Sequence, residues 1–245
     1  MRLEVGGTHN FREAAPGAIR PGVLYRADAL HRLTRDGRAR LVELGVRRVI
    51  DLRSDFDRRV GGRDRLRGVG AELLRFPIHA GRADPSTIEI RRVYRAIVAD
   101  NGEAFGAAVR AIADADGAVV VHCTAGKDRT GLVIAFSLLA IGLDTDTVAA
   151  DYALTQANLA GEWTERMLRK VRRFRVPVSE ALLEVLAHSP EPVLRDTLDW
   201  VAAEYGGVTG YLASVGVGED VIARLRARLA LEPAASGPER EPGTA

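Results

Sequence analysis

Apolar positions along the chain switch between two periods. Short β-branched runs read as strands: Val46 to Leu52, Glu72 to Ile78 and, most clearly, Ala118 to His122, which lies between Gly117 and a glycine-containing loop. Residues 1 to 30 read as strand and turn, with Pro16-Gly17 and Pro21-Gly22 as turn signals around Val23-Leu24. Helical spacing marks Arg35 to Leu44, Ile88 to Ala99 and Glu103 to Ala113. Thr130 to Ile141 is apolar almost all round, which predicts a helix buried against the sheet. Helices then follow at Thr147 to Leu154, Trp163 to Phe174, Ser179 to Ala187, Val193 to Tyr205, Tyr211 to Val215 and Glu219 to Leu231, broken by Pro177, Pro190, Gly206-Gly207 and Gly216 to Gly218. This pattern predicts an α/β fold: a central, mostly parallel sheet flanked by helices, with a helical C-terminal half. One domain is expected over residues 1 to 231, and a disordered Pro/Gly/Glu-rich tail over 232 to 245.

Composition narrows the chemistry. With 47% hydrophobic and 28% charged residues in a chain of 245, wholesale disorder and a membrane-embedded body are both excluded. Aromatics are only 5%, so Leu, Val, Ile and Ala must supply most of the core. The longest apolar run, Gly131 to Leu143, is too short to span a bilayer, and the N-terminus shows no cleavable signal pattern. The cytoplasm is the default location, with signal-less export left open. Lys127 and Lys170 are the only lysines among 35 Lys and Arg residues, and guanidinium groups favour planar oxyanions such as phosphate. Cys123 is the single cysteine, so neither an internal disulfide nor a cysteine zinc site can form.

That cysteine stands in His122-Cys123-Thr124-Ala125-Gly126-Lys127-Asp128-Arg129-Thr130-Gly131, between the clearest strand and the most buried helix. A cysteine at a strand end, five intervening residues and an arginine entering a helix give a loop whose N–H groups can converge on one oxyanion. The same field lowers a thiol pKa from about 8.5 toward ionisation at neutral pH. Arg129 can then fork two phosphoryl oxygens while the thiolate attacks in line. A nucleotide-binding Walker loop fails, because Asp128 rather than Ser or Thr follows Lys127.

The segment resembles the H-C-x5-R-[ST]-G signature of the protein-tyrosine phosphatase superfamily, and in its fuller form the bacterial atypical tyrosine phosphatases with an HCxAGKDRTG loop. The resemblance extends to Asn10-Phe11-Arg12 after Gly6-Gly7, Leu24 to Asp28, Val49 to Ser54, and Tyr205 to Leu212 followed by Leu225-Arg226, so it covers the chain up to about Leu231. It implies a phosphotyrosine-phosphatase-like fold and phosphomonoester hydrolysis through a cysteinyl-phosphate intermediate, with no metal and no cofactor. By resemblance Cys123 is the nucleophile and Arg129 the group that holds the phosphoryl oxygens. Thr124, Ala125, Gly126, Lys127 and Thr130 complete the substrate-binding loop; Thr130 either aids breakdown of the intermediate or only caps a helix. His122 by the same resemblance tunes the thiolate, or is alternatively an ordinary histidine at a strand end.

A leaving alcohol or phenol needs a proton donor. The atypical group carries an Asp within the loop, matched by Asp128, which is favoured over Asp84 in the loop after the second strand. Lys127 is expected at the pocket rim, where it would favour phosphoinositides. Asn10, Arg12, Arg26, Asp28 and Asp51 are candidates for support of the loop, or alternatively structural ion pairs. The basic helix Trp163 to Phe174 either gathers anionic substrate or is an ordinary packed helix. Phosphotyrosine proteins are the first-choice substrate, with phosphoserine, phosphothreonine or phosphoinositides added; a phosphate ion is expected in the loop and no nucleic acid. The alternatives are a phosphoinositide or small-molecule phosphatase, a phosphate-binding module without turnover, and sulfur transfer or arsenate reduction, the last disfavoured by the lack of a second cysteine.

Overall fold

The computed structural model describes residues 2–80, 89–173, 175 and 178–231. One sheet is built from β1 (Arg12–Glu13), β2 (Leu24–Ala27), β3 (Val46–Asp51), β4 (Glu72–Arg75) and β5 (Ala118–His122), in the order β1-β2-β5-β3-β4. Only β1 runs antiparallel to its neighbour. The last strand in sequence therefore lies at the centre, and its uninterrupted apolar run suits a strand buried on both faces. Val119 and Val121 face a core shared with Leu24 and Ile50, whereas Val120 faces a second one with Tyr25 and Val49, the period-2 alternation of a strand.

The helices are α1 (Arg35–Glu43), α2 (Asp55–Gly61), α3 (Ile90–Ala99), α4 (Gly102–Ala113), α5 (Asp128–Ala140), α6 (Thr145–Leu159), α7 (Glu162–Arg173), α8 (Glu180–Ala187), α9 (Glu191–Tyr205), α10 (Val208–Ser214) and α11 (Glu219–Leu229). The expected α/β architecture with a helical C-terminal half is present. As expected, α5 is buried on nearly every side, with Leu132, Val133, Ile134 and Phe136 in the larger core. Two local differences have physical causes. β4 stops at Arg75 rather than Ile78 because the regular register is lost there: Phe76 N donates to Asp51 O and Ile78 N to Leu52 O, two residues of advance on one side against one on the other. α2 had no apolar period to announce it; it starts from a reciprocal cap in which Ser54 accepts from Asp57 N and Asp57 accepts from Ser54 N. The expected tail, 232 to 245, and the loop holding Asp84 lie outside the described residues, as does Phe174.

Parallel pairing aligns Ala27, His122 and Asp51 at one edge of the sheet. The segments that follow them, at Asp28, Cys123 and Arg53, consequently converge at the carboxyl ends of the strands, where open α/β sheets form their crevices. From β1 and β2, Arg12 and Arg26 reach under this edge to Asp151 on α6: Arg26 Nη1 lies 2.7 Å from Oδ2 and Arg12 Nε 3.6 Å from Oδ1. All three side chains are buried, so one carboxylate compensates two enclosed cations. Removing it with Asp151→Asn should lower unfolding free energy by about 3–5 kcal/mol, the usual loss when a buried ion pair is broken. Urea denaturation measures this, and a loss below about 1 kcal/mol would show that the arginines are compensated elsewhere.

Candidate active site

Between β5 and α5, the carbonyls of the loop are tied outward. Thr124 O accepts from Ala29 N at 3.2 Å. Ala125 O accepts from Asn10 Nδ2 at 3.0 Å, and Gly126 O accepts from Asn10 Nδ2 at 3.2 Å and Arg26 Nη2 at 2.9 Å. With the carbonyls held away, the amide N–H groups are left to the concave side, and Gly126 N donates to Cys123 Sγ at 3.3 Å. Glycine is required at this bend: its φ is +68°, and a Cβ would lie 2.3 Å from Ala27 O. Asn10 itself is fixed by Asp28, whose Oδ1 accepts from Asn10 N at 2.9 Å and His9 N at 2.8 Å.

Burial alone would push the Cys123 thiol pKa up. The Arg129 charge and the hydroxyl and N–H of Thr130 outweigh burial, so the thiol lies below its ordinary value. The buried Thr130 hydroxyl makes no other hydrogen bond, which leaves its dipole available to the sulfur. Arg129, in the first turn of α5, sends Nη2 to Thr124 Oγ1 at 3.2 Å and Nη1 to Asp57 Oδ2 at 2.6 Å. Asp57 thus aims the guanidinium across the mouth of the loop. Burial raises the Asp57 pKa, but Arg129 and Ser54 more than offset this and hold it low.

His122, which precedes Cys123 at the end of β5, is buried with Nε2 3.2 Å from Asp64 Oδ2. Burial pushes its pKa down, but the charges of Asp64 and Asp51 prevail and raise it. The ligand atoms of Asp51, Asp64 and His122 lie within 4.8 Å of one another, close enough to hold a metal ion. Arg53 spans both carboxylates, however, with Nε 2.9 Å from Asp51 Oδ1 and Nη2 2.8 Å from Asp64 Oδ1, so their charge is already met.

Lys127 does not lie at the pocket rim. Expected at the rim, its ammonium is buried and donates to Val185 O and to His188 O, at 2.7 Å for the second, while lying 3.4 Å from Asp128 Oδ1. The carbonyls at the end of α8 draw the cation inward, as the negative end of a helix does. The accessible cations lie elsewhere. A cleft of about 1100 Å³ opens from Thr124 and Asp57 between α2 and α7, and Arg32, Arg63, Arg65, Arg166, Arg169 and Arg173 line it. Trp163 on α7 packs against Ala125 and Leu159, which seats this basic helix directly on the loop. The cleft also carries apolar surface from Phe56, which is 70% exposed, and from Met167.

The structure brings Cys123, Thr124, Gly126, Asp128, Arg129 and Thr130 together, with Asn10, Arg26 and Asp28 in direct support. Asp57, Asp64, Asp151 and Tyr94 were missed. Asp57 alone had a local signal, the Ser54-x-x-Asp57 spacing of a helix cap.

A profile described as the tyrosine phosphatase family matches residues 3–231. The triple specificity protein phosphatase PtpB of Mycobacterium tuberculosis is 32% identical, the match covering 91% of this chain and 97% of that protein. A tyrosine-protein phosphatase of Nostoc commune is 28% identical over 86% of this chain and 76% of its own length. Among solved structures, P. aeruginosa TpbA is similar at 23% identity and a TM-score of 0.33 over 71% of this chain and 95% of that one, too distant to bear on the site. With nearly the whole chain spanned by the profile, the protein belongs to the tyrosine phosphatase family.

Proposed function

We propose that the chain hydrolyses phosphotyrosine in proteins through a cysteinyl-phosphate intermediate. The observation that carries this reading is the loop itself: outward-tied carbonyls, Gly126 N on the Cys123 sulfur, and Arg129 held across the opening. Substrate oxygens take the N–H groups and the Arg129 guanidinium. The Cys123 thiolate attacks phosphorus and forms the P–S bond as the P–O bond to the phenol breaks, and the proton that the phenolate needs comes from Asp128. Water then attacks phosphorus, its proton passes to Asp128, and the P–S bond breaks to return thiolate and inorganic phosphate. The donors at the loop act most strongly on the charge of the transition state, because they are fixed before the substrate arrives.

The arginine-lined cleft supports a wider range, since it would hold further negative charge on an acidic phosphopeptide or a multiply phosphorylated head group. The name of the mycobacterial relative, a triple specificity phosphatase, agrees with that breadth.

Acid-quenched reaction with 32P-labelled phosphotyrosine peptide should leave label on the peptide containing Cys123. Cys123→Ser should neither label nor turn over p-nitrophenyl phosphate. Turnover with no trapped phosphocysteine would move the chain to another mechanism. A panel of phosphotyrosine, phosphoserine and phosphothreonine peptides and phosphoinositides sets the preference. In that panel Arg166→Glu with Arg169→Glu should lower kcat/KM about tenfold for a multiply charged substrate and about twofold for p-nitrophenyl phosphate, the difference shrinking in high salt. Equal losses on both would remove the cleft from substrate recognition.

A further inference from the structure

Asp128 is supported at one of its two carboxyl oxygens by a buried pair of tyrosines. Tyr94 on α3 and Tyr152 on α6 are both fully buried, and their hydroxyls meet behind the first turn of α5. The Tyr94 hydroxyl donates to Asp128 Oδ1 at 2.7 Å, and because its one proton is used there, it must accept from Tyr152. The rings are held edge to face, with centroids 6.4 Å apart and planes at 87°. Gly131 makes room for this pair: a Cβ there would lie 2.9 Å from Tyr152 Cδ2 and Cε2. Lys127 Nζ, 3.4 Å away, lies against the same Oδ1. No described residue hydrogen-bonds the other oxygen, Oδ2.

Resting on the reading of Asp128 as proton donor, we infer that Tyr94, backed by Tyr152, is a positioning residue that commits Oδ1 as an acceptor and so leaves Oδ2 as the oxygen that carries and delivers the proton. When Asp128 is protonated, Oδ1 already receives the Tyr94 proton, so the acidic proton resides on Oδ2. When it passes to the leaving oxygen, the resulting carboxylate keeps the Tyr94 hydrogen bond, which is stronger to the anion than to the neutral acid. Atoms balance without any further reactant: one proton leaves Oδ2 in the first step and one returns there from water in the second. Burial pushes the Tyr94 hydroxyl pKa well up, followed by the charge of Asp128, so the tyrosine holds its proton throughout. The other charges facing the carboxyl are Lys127, Arg129 and the Cys123 thiolate, and the tyrosine pair is the neutral partner.

The test is a leaving-group series of aryl phosphates, from dinitrophenyl through p-nitrophenyl to phenyl phosphate, on wild type, Tyr94→Phe, Asp128→Asn and the double variant. A phenoxide of low basicity leaves without a proton and phenoxide itself does not. Tyr94→Phe should lower kcat/KM, which reports the step that expels the leaving group, about tenfold on phenyl phosphate and less than about twofold on dinitrophenyl phosphate, on the scale of one charge-assisted hydrogen bond. Asp128→Asn should steepen the same dependence further, and adding Tyr94→Phe to it should cost nothing more. Equal loss on every substrate with Tyr94→Phe, while Asp128→Asn is steep, would overturn the inference and leave the acid assignment standing. A flat dependence in Asp128→Asn would overturn the acid assignment and the inference with it. If Tyr94→Phe does not fold, Tyr152→Phe serves instead, with a smaller steepening expected and a uniform loss again contradicting the inference.

Discussion

Everything at this site depends on where the loop carbonyls point. A peptide chain turning from β5 into α5 carries as many acceptors as donors, and an anion pocket forms only if the acceptors are kept out of it. Three partners from the N-terminal part of the chain do this: Asn10, Arg26 and the N–H of Ala29. Their reach is possible because β2 lies beside β5 in parallel register, with Ala27 opposite His122. The same closeness excludes any side chain at Gly126. The sheet order therefore matters to the site, since it puts the segment that orients the loop next to the strand that leads into Cys123.

Around the loop, cations and anions alternate outward. Arg129 faces the opening and is held by Asp57; His122 precedes Cys123 and is held by Asp64, which Arg53 shares with Asp51; Arg26 takes a loop carbonyl and is held by Asp151. Each cation near the reacting centre is thus compensated on its far side, which lets positive charge be buried without an unpaired ion. In this arrangement burial is opposed at each of Cys123, His122 and Asp57, and the net shift at all three is toward the charged form.

Cys123, Asp128 and Arg129 drew notice in the sequence because they stand within one seven-residue segment, and β5 was legible because a short valine run between Gly117 and the loop has no helical period. Asn10, Arg12, Arg26, Asp28 and Asp51 were found through segments that resemble the family, and the structure gives each a named contact. Asp64, Asp151 and Tyr94 carry no local signal, since they meet their partners only through tertiary packing, as Asp151 does when α6 crosses beneath β1 and β2. Lys127 was misplaced for the same reason. A lysine in a phosphate loop reads as a substrate cation, and only the docking of α8 supplies the carbonyls that draw it inside.

The central claim, that outward-tied carbonyls make the loop an anion site already occupied in effect by the thiolate, is tested most directly by titrating Cys123 through its thiolate absorbance in wild type and Asn10→Ala. The account predicts a wild-type midpoint below the ordinary thiol value of about 8.5, and an upward move in Asn10→Ala as freed carbonyls turn toward the sulfur. A wild-type midpoint at or above that value, or one that Asn10→Ala leaves unchanged, would contradict it.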